Sequence, residues 1–579
     1  MALFEKRYTN KVLLDDTEKL ISVIENARTI DGHTEYVIRT QRGPLPDKSW
    51  RVSRRYNDFI QLNAALSASG LDLSLPPKKI IGNMEPDFIA QRQIALQVSG
   101  SYGRMILASS LPMKKFLDPE NYTAPLHEIA LQQVSLALRS DANYEVLKAI
   151  PDMGWRLRKH YYTVKNRQNP KQELLLAWVE FGPDKHLHDK DMQGVFKSLG
   201  TLKHNYIEPI VYQHVTETGA LMIRNFHQAG TLRDTLCVTK PKQPFIKKYG
   251  NPKQTKSLTV SEIAMYGYQI LEALGFLHEK GLPYGHLHTG NVLLTQRCAK
   301  LLDIENGLLG LPAFYRPYVV QRRKLHATTQ VDVYSFGHVL YEMAFGRPLL
   351  EATCSELPYC EAGLKNLLEV ILSPEDLKQD LPTIPHLLDH PFFESARRAV
   401  LAVGSVEKPH FKLSSHLKEA LHEAVNKAEQ RLKDEQKVAR QQKRFAKVQE
   451  MMSSEEEMKK RKQKLKKEQK LAQEQRSANQ LSTNGLKQLN GKSPERSDSP
   501  TSTSTATSVG TLTPPSLRSV DVPQGDGTTG KGPIPPPPMP PSNGVADNVP
   551  KATNERTALL GSICNFNKTS LRKVANGQR

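Results

Sequence analysis

One capped amphipathic segment, at about residues 260–279, constrains the fold of this chain more than any other stretch. Thr259 and Glu262 form a capping box at its start, the pattern that closes the first turn of a helix. Apolar side chains then recur at helical spacing along one face, at Ile263, Tyr266, Ile270, Leu274 and Leu277. Strand-like runs such as 174–179 precede this segment and helical patterns follow it. This order predicts one globular region over residues 145–410 that begins with a sheet.

Length, charge and cysteine spacing set the outer limits. A chain of 579 residues is too long for one hydrophobic core and suggests roughly three or four structural units. Its 80 lysines and arginines exceed its 60 aspartates and glutamates, and the formal charge of +20 suits a membrane, a nucleic acid or an acidic protein as partner. The five cysteines show no C-x-x-C spacing, which argues against a zinc site or a disulfide framework and predicts a reducing compartment.

The sequence predicts neither export nor a membrane span. Glu5, Lys6 and Arg7 precede any apolar run, so the N-terminus does not resemble a signal peptide. No run reaches eighteen apolar residues, so any membrane contact is expected to be peripheral.

Residues 12–125 carry strand and helix patterns of their own. Runs at 21–24, 36–40 and 50–55 are typical of strands, and the next segment places Phe59, Leu62 and Leu66 on one helical face. Basic residues follow at Lys78 and Lys79 and again at Arg92. This region is therefore predicted to be a separate mixed unit.

Three segments of this unit resemble, in order and spacing, the core motifs of PX (phox homology) domains: WRVSRRYNDF at 50–59, LPPKK at 75–79 and FIAQR at 88–92. The resemblance implies a phosphoinositide-binding domain in which Arg55 holds a 3-phosphate and Tyr56 packs on the inositol ring. Lys78 would meet the 1-phosphate, and Arg92 the far side of the sugar ring. Arginine offers a phosphate a planar fork of donors and lysine a point charge, so both suit such a headgroup. The alternative is that these residues form only a basic strand edge beside a solvated loop. This alternative is favoured for Arg54 alone, because adjacent residues of a strand face opposite sides and Arg54 therefore faces away from Arg55.

Residues 145–410 resemble a protein kinase in three collinear segments. LMIRNFHQAGTL at 221–232 is similar to the hinge region, YGHLHTGN at 284–291 to the catalytic loop, and DVYSFG at 332–337 to the central helix of the larger lobe. The resemblance implies a bilobal fold in which Asp332 ties that helix to the catalytic-loop backbone. The alternative is an unrelated helical domain.

The same resemblance implies that the machinery for phosphoryl transfer is missing. His286 stands where the catalytic aspartate belongs, and Val179 where the strand lysine belongs. Gly154 is the only glycine near the start of the domain, so no glycine-rich loop covers phosphates. No glutamate occurs at 181–205 to pair with that lysine, and Asp303 keeps the first position of a D-F-G motif whose glycine is lost. The prediction is a pseudokinase with no catalytic residue and no metal site.

Some alternatives stay open for this domain. Asn291 and Asp303, the surviving candidate magnesium ligands, either bind Mg-ATP weakly or only hold the loop. His286 either accepts a proton itself or is a structural histidine. The rival hypothesis is an atypical active serine/threonine kinase recruited to endosomal membranes, in which Lys171 or Lys185 replaces the strand lysine. No other cofactor is expected.

The remaining chain is strongly basic and then poor in apolar residues. The composition of residues 412–476 predicts a basic helix that is either solvated or part of a weak coiled coil. Residues 477–553 are predicted to be a disordered Ser/Thr/Pro-rich linker, with a polyproline run at 533–541. Segment 555–576 resembles a WASP-homology-2 motif, an actin-binding element; a tail helix without that role is the alternative. The actin contacts would be Leu559, Ile563 and Phe566 on one helical face, then Leu571, Arg572 and Lys573.

The order of these modules resembles the PX-domain-containing kinase-like family. The expected fold class is multidomain α+β: a PX domain with a three-stranded sheet and a helical subdomain, a bilobal kinase-like domain, a basic helix and a disordered tail. The resemblance implies a cytoplasmic adaptor, peripheral at endosomal and plasma membranes, that associates with β subunits of the Na,K-ATPase and affects receptor trafficking and synapses. Actin, and profilin or SH3 proteins at 533–541, are expected partners. Nucleic acid is not, because the basic run lacks a recognisable nucleic-acid module.

Overall fold

The computed structural model describes residues 16–483, apart from 19, 44–46, 72, 80–82, 101–109, 140, 297, 375–379 and 403–408. The strands are β1 (Leu20–Ile30), β2 (His33–Arg42), β3 (Ser49–Arg55), β4 (Tyr144–Ile150), β5 (Lys159–Asn166), β6 (Glu173–Glu180), β7 (Tyr212–Val215), β8 (Gly219–Asn225), β9 (Val292–Thr295) and β10 (Cys298–Leu301). The helices are α1 (Tyr56–Ser67), α2 (Pro86–Gly100), α3 (Leu111–Leu117), α4 (Pro119–Tyr122), α5 (Leu126–Ala137), α6 (Asp189–Leu199), α7 (Leu232–Leu236), α8 (Phe245–Tyr249), α9 (Val260–Glu279), α10 (Arg316–Val319), α11 (Thr328–Phe345), α12 (Ala362–Leu372), α13 (Ile384–Leu388), α14 (Glu394–Ala402) and α15 (Ser415–Thr483).

The N-terminal unit is an antiparallel sheet, β1-β2-β3, packed against helices. Ile38 of the central strand lies opposite Ile24 on one side and Val52 on the other, which fixes the register. The helical side of the core is closed by apolar residues of α1, α2 and α3, namely Phe59, Leu62, Leu66, Leu96, Met113 and Leu117. The three strands and the buried face of α1 confirm the sequence prediction.

A second sheet, in the order β4-β5-β6-β8-β7, forms the smaller lobe of the next unit. Helix α5 covers one face of it through residues such as Ala130 and Val134, which share a core with Leu176 and Trp178. Side chains alternate between the two faces of a sheet, so the opposite face carries the intervening residues. That face lines a cleft against the larger lobe.

The larger lobe is built around α9 and α11. Helix α9 spans Val260–Glu279, as predicted, and Thr259 Oγ1 accepts the backbone N–H of Glu262 in the predicted capping box. Most of α9 and α11 is buried in one hydrophobic core. The antiparallel pair β9-β10 follows the catalytic-loop segment.

Helix α15 differs from the prediction of a solvated helix. Its early turns bury Leu421 and Leu432 in the core of the larger lobe. Gln436 is 1% exposed, and its side-chain amide donates to three backbone carbonyls of segment 319–325, at 3.3, 3.0 and 2.8 Å. The early part of this helix is therefore an integral layer of the kinase-like unit.

Candidate functional site

In the PX-like unit, Arg92 joins the elements of the predicted lipid site. Its guanidinium carbon lies 4.1 Å from the ring centroid of Tyr56 and 4.3 Å from that of Phe88, so the cation sits against both rings. Arg92 Nη2 donates to the carbonyl of Pro77 at 3.1 Å. Its Nε is buried and has no hydrogen-bond partner among the described residues. The arginine thus positions the proline-rich loop against α1 and α2.

Arg55 and Lys78 are the accessible members of this group. Arg55 is the N-cap of α1, and its side chain is 56% exposed with Nε at 3.6 Å from Glu35 Oε1. The next residue, Tyr56, donates its hydroxyl to the carbonyl of Pro76 and so fixes the loop that carries Lys78. Lys78 itself is exposed. The structure brings Tyr56 and Arg92 into contact and leaves two cationic side chains open to solvent on the connected segments.

A carboxylate beside Arg55 bears on anion binding. The pKa of Glu35 is lowered, first by its hydrogen bond with His33 and further by the charge of Arg55. Glu35 is therefore ionised at neutral pH. A phosphate that binds Arg55 has to compete with this half-buried carboxylate.

Arg54, on the opposite face of β3, is held inside the fold. Its Nε and Nη2 donate to the carbonyl of Phe116 at 2.9 and 2.6 Å. The guanidinium also lies over the Phe116 ring, 5.2 Å from its centroid. This side chain connects β3 to α3, as the alternation of strand faces requires.

In the kinase-like unit, Asp332 anchors the catalytic-loop segment as predicted. The backbone N–H groups of Tyr284 and Gly285 donate to its two carboxylate oxygens at 2.9 and 2.6 Å. His278, at the end of α9, contacts the same carboxylate at 2.8 Å. Hydrogen bonds to a carboxylate are among the stronger ones in proteins, so this buried anchor fixes the loop.

His286, at the position of the kinase base, is enclosed by the chain. Arg156 Nη2 lies 3.4 Å from its Nδ1 and donates to the carbonyl of Pro312 at 2.6 Å. Burial and then the charge of Arg156 lower the pKa of His286 well below its ordinary value. The side chain is therefore neutral at physiological pH and a weak base. Arg156 reaches it from the β4–β5 loop, where a kinase carries its glycine-rich loop.

Asp303 is neutralised by cations of the smaller lobe. Lys159 Nζ lies 2.5 Å from its Oδ2, and Arg224 Nη1 lies 3.7 Å from its Oδ1. Burial would raise the pKa of Asp303, but Lys159 and Arg224 lower it below its ordinary value. Its backbone has a φ of +58°, a left-handed conformation that aspartate tolerates better than most residues.

Arg224 also forms a second buried ion pair across the cleft. Its two terminal nitrogens lie 3.2 and 2.6 Å from the carboxylate oxygens of Glu305. Glu305 is fully buried, and the bidentate geometry satisfies both of its oxygens. This pair spans from β8 to the segment after Asp303.

Asn291 holds the loop. Its Nδ2 donates to the carbonyl of His286 at 3.1 Å. The neighbouring His288 stacks on Phe314, with ring centroids 4.6 Å apart. Both contacts stabilise the loop from within.

The cleft between the lobes is small. Its volume is about 140 Å³, lined by residues that include Trp155, Lys159, Arg224, Asn291 and Asp303. Pockets that enclose drug-sized ligands usually measure about 300–1,000 Å³. In this cleft, Lys159 and Arg224 pair with Asp303 and Glu305. In a kinase, the charged groups at such positions would bind phosphate and metal instead.

The sequence analysis missed Lys159 and Arg156. Val179 is buried in β6, and Lys159 on β5 is its directly opposed partner. The rival hypothesis named Lys171 or Lys185 as the replacement lysine, and this is wrong: Lys185 pairs with Asp189 at 2.6 Å, and Lys171 is exposed and does not line the cleft that holds Asp303. The sequence does show a lysine at the start of the strand before β6. Recognising that this lysine faces the cleft requires the register between the two strands, which the sequence alone does not give.

The predicted sites of the tail lie almost entirely outside the described residues. Segments 477–553 and 555–576, with the polyproline run and the actin-type motif, lie outside the described residues apart from the last turns of α15. In the part of the chain that the structure describes, no cluster of three or more His, Cys, Asp or Glu could hold a metal ion. Over the same residues, no helix has the length and apolar character to cross a bilayer.

Two family profiles match the chain. The PX domain profile matches residues 45–99, and the protein kinase domain profile matches residues 179–431. The second match begins after β4 and β5 and extends into α15. The chain thus combines a PX domain with a kinase-like domain.

Curated relatives match large parts of the chain. The PX domain-containing protein kinase-like protein of Mus musculus is 47% identical over 440 residues, which cover 75% of this chain and 74% of that protein. The chain belongs to the PX domain-containing protein kinase-like family. The Slowpoke-binding protein of Drosophila melanogaster is 31% identical over 255 residues, 40% of this chain and 48% of that protein. The probable inactive serine/threonine-protein kinase slob1 of Dictyostelium discoideum is 32% identical over 291 residues, 44% of this chain and 48% of that protein.

Proposed function

We propose that this protein is a peripheral membrane adaptor that binds 3-phosphorylated phosphoinositides through its PX domain and does not transfer phosphate. One contrast carries the proposal. Arg55 and Lys78 of the PX domain are exposed, whereas the charged groups of the kinase-like cleft are paired with one another. An anion can reach the first site without breaking a buried ion pair.

The lipid half of the proposal is supported by the preformed PX site. Arg92 and Tyr56 hold the proline-rich loop at Pro77 and Pro76, so Lys78 follows directly on a fixed segment. Each charge-assisted hydrogen bond to a phosphate contributes about 1.5–3 kcal/mol. Two or three such bonds discriminate a phosphorylated ring from general negative charge.

The non-catalytic half is supported by the state of each catalytic position. His286, in place of the base, is neutral and blocked by Arg156. Loss of general-base help alone lowers rates by about 10²–10⁴-fold. Asp303 does not offer an open site to a resident Mg-nucleotide, because Lys159 takes its carboxylate. Asn291 donates its Nδ2 to the carbonyl of His286, which supports a role in holding the loop.

Liposome binding by Arg55→Ala tests the proposal. We expect this variant to lose its preference for vesicles that contain phosphatidylinositol 3-phosphate, because the fork of donors for the 3-phosphate is gone. Arg51→Ala is the matched control: it removes the same charge from the same strand, at a side chain that is 64% exposed and pairs with Glu25. Equal lipid preference in Arg55→Ala and in the wild type would refute the assignment.

A second candidate, an atypical active kinase, is favoured by Lys159, which places an ammonium group at Asp303. Nucleotide-dependent thermal shift distinguishes the two functions. No shift with Mg-ATP supports the adaptor. A shift together with phosphate transfer that disappears in Asp303→Ala supports the kinase.

The partners of the adaptor extend this proposal. The Drosophila relative is named for binding Slowpoke, which supports a protein-binding role for the present chain as well. Association with Na,K-ATPase β subunits, actin binding by 555–576 and recruitment of profilin or SH3 proteins by 533–541 follow from family and motif resemblance. Endosomal and plasma membranes are the proposed locations.

A further inference from the structure

The kinase-like unit carries a lysine-rich segment, 239–257, that contains no aspartate or glutamate. Two of its six lysines are used within the fold: Lys242 pairs with Glu173, and the buried Lys248 lies 3.0 Å from Asp234. The other four, here called the lysine patch, are exposed. They are Lys240, Lys247, Lys253 and Lys256. Among the residues that the structure describes, none of the four forms an ion pair.

This segment lies against the PX domain. Ile246, next to Lys247, packs on the hydrophobic core of the PX domain. Gly250 faces Leu71 so closely that an added Cβ would lie 3.2 Å from Leu71 Cδ2. Leu71 leads directly into the proline-rich loop, and seven extended residues span at most about 25 Å, so Lys78 is within that distance of Leu71. The lysine-rich segment is therefore anchored on the PX domain, at the base of the loop that carries Lys78.

We propose that the lysine patch is a second contact with an anionic bilayer, so that the PX domain and the kinase-like unit bind one membrane together. The inference rests on the proposed function of the PX domain. Lysine is a strongly hydrated point charge without the fork geometry of arginine, so such a patch suits the diffuse charge of an anionic leaflet rather than one headgroup. The absence of acidic residues from the segment removes local repulsion of that surface.

Vesicle binding by the full chain tests the proposal. The vesicles contain phosphatidylcholine alone, phosphatidylcholine with phosphatidylserine, or both with phosphatidylinositol 3-phosphate. The patch variant carries Lys240→Gln, Lys247→Gln, Lys253→Gln and Lys256→Gln together. We expect it to bind phosphatidylserine vesicles at least about tenfold more weakly than the wild type and to keep the preference for phosphatidylinositol 3-phosphate.

The control variant removes the same charge elsewhere. It carries Lys171→Gln, Lys190→Gln, Lys197→Gln and Lys412→Gln, all at exposed positions of the kinase-like unit. Equal losses in the patch and control variants, or no loss in the patch variant, would overturn the proposal. Arg55→Ala tests the proposed function of the PX domain separately. If the lipid assignment is wrong, Arg55→Ala keeps the headgroup preference of the wild type. The comparison between the patch variant and the control variant is not affected by that result. Thermal unfolding confirms that each variant is folded.

Discussion

Lys159 lies on the neighbouring strand, directly opposite the position at which β6 lacks a lysine. Directly opposed residues in antiparallel strands lie about 4.5–5.5 Å apart at Cβ and share one face, so Lys159 projects into the cleft beside Val179. The motif positions in 284–291 and 332–337 were predictable from the sequence because each is a local pattern. Lys159 was not, because its place depends on the register between two strands, which no single segment specifies.

Replacement of Lys159 by methionine is expected to destabilise the kinase-like unit by about 3 kcal/mol at neutral pH, because it leaves a buried carboxylate without its closest cation. The pKa of Asp303 is lowered, so its ion pair stabilises the fold at every pH above the ordinary pKa of an aspartate. This contribution is lost as the pH falls through the lowered pKa of the folded state. Urea denaturation measures the difference. Lys159→Met with Asp303→Asn should recover most of the loss; a double variant as unstable as the single one would contradict the explanation.

At the scale of elements, α15 shows what composition cannot predict. Its charged residues read as a solvated surface, yet Arg431 pairs with Asp184, and Arg316 Nε lies 2.8 Å from Glu435 Oε2. Glu429 accepts the backbone N–H of Thr328 at 2.7 Å and so caps the start of α11. These partners are more than a hundred residues away in sequence, so a pattern within the helix does not reveal them. By contrast, the bounds of α9 were predictable because its cap and its apolar face are both local.

Leu432→Ala tests whether α15 is a structural layer. Leu432 is 4% exposed, and truncation of a buried leucine costs about 2–5 kcal/mol through lost burial and a residual cavity. Leu401→Ala is the matched control on α14, because Leu401 is 71% exposed. Chemical denaturation of both variants measures the two costs. Similar small losses would show that α15 does not stabilise the unit.

At the scale of the molecule, the order of modules was predictable from motifs, but their packing was not. Helix α5, between the two predicted domains, covers the smaller-lobe sheet, and Ile246 joins the PX core from the other module. The folded unit also encloses several histidines. Burial lowers the pKa of His160 and His204 to about 4 and that of His338 to about 3.

These histidines predict acid sensitivity of the whole folded unit. An unfolded chain protonates its histidines near pH 6.5, while the buried ones stay neutral until the pH is far lower. The unfolded state therefore binds more protons below pH 6.5, and stability falls as pH falls, by about 1.4 kcal/mol per pH unit for each such histidine. We expect the acid transition, followed by circular dichroism, above about pH 4.5, where carboxylates are still largely ionised.

His338→Phe isolates one histidine. His338 stacks on Tyr315 with centroids 4.4 Å apart, and Tyr334 meets it edge-on at 4.8 Å; neither ring nitrogen has a hydrogen-bond partner among the described residues. Phenylalanine fills a similar volume without a site to protonate, so this variant should unfold at a lower pH than the wild type and keep its stability at neutral pH. His214→Phe, at an exposed histidine, should leave the acid midpoint unchanged. An unshifted midpoint in His338→Phe would mean that protonation of this buried ring does not contribute to acid unfolding.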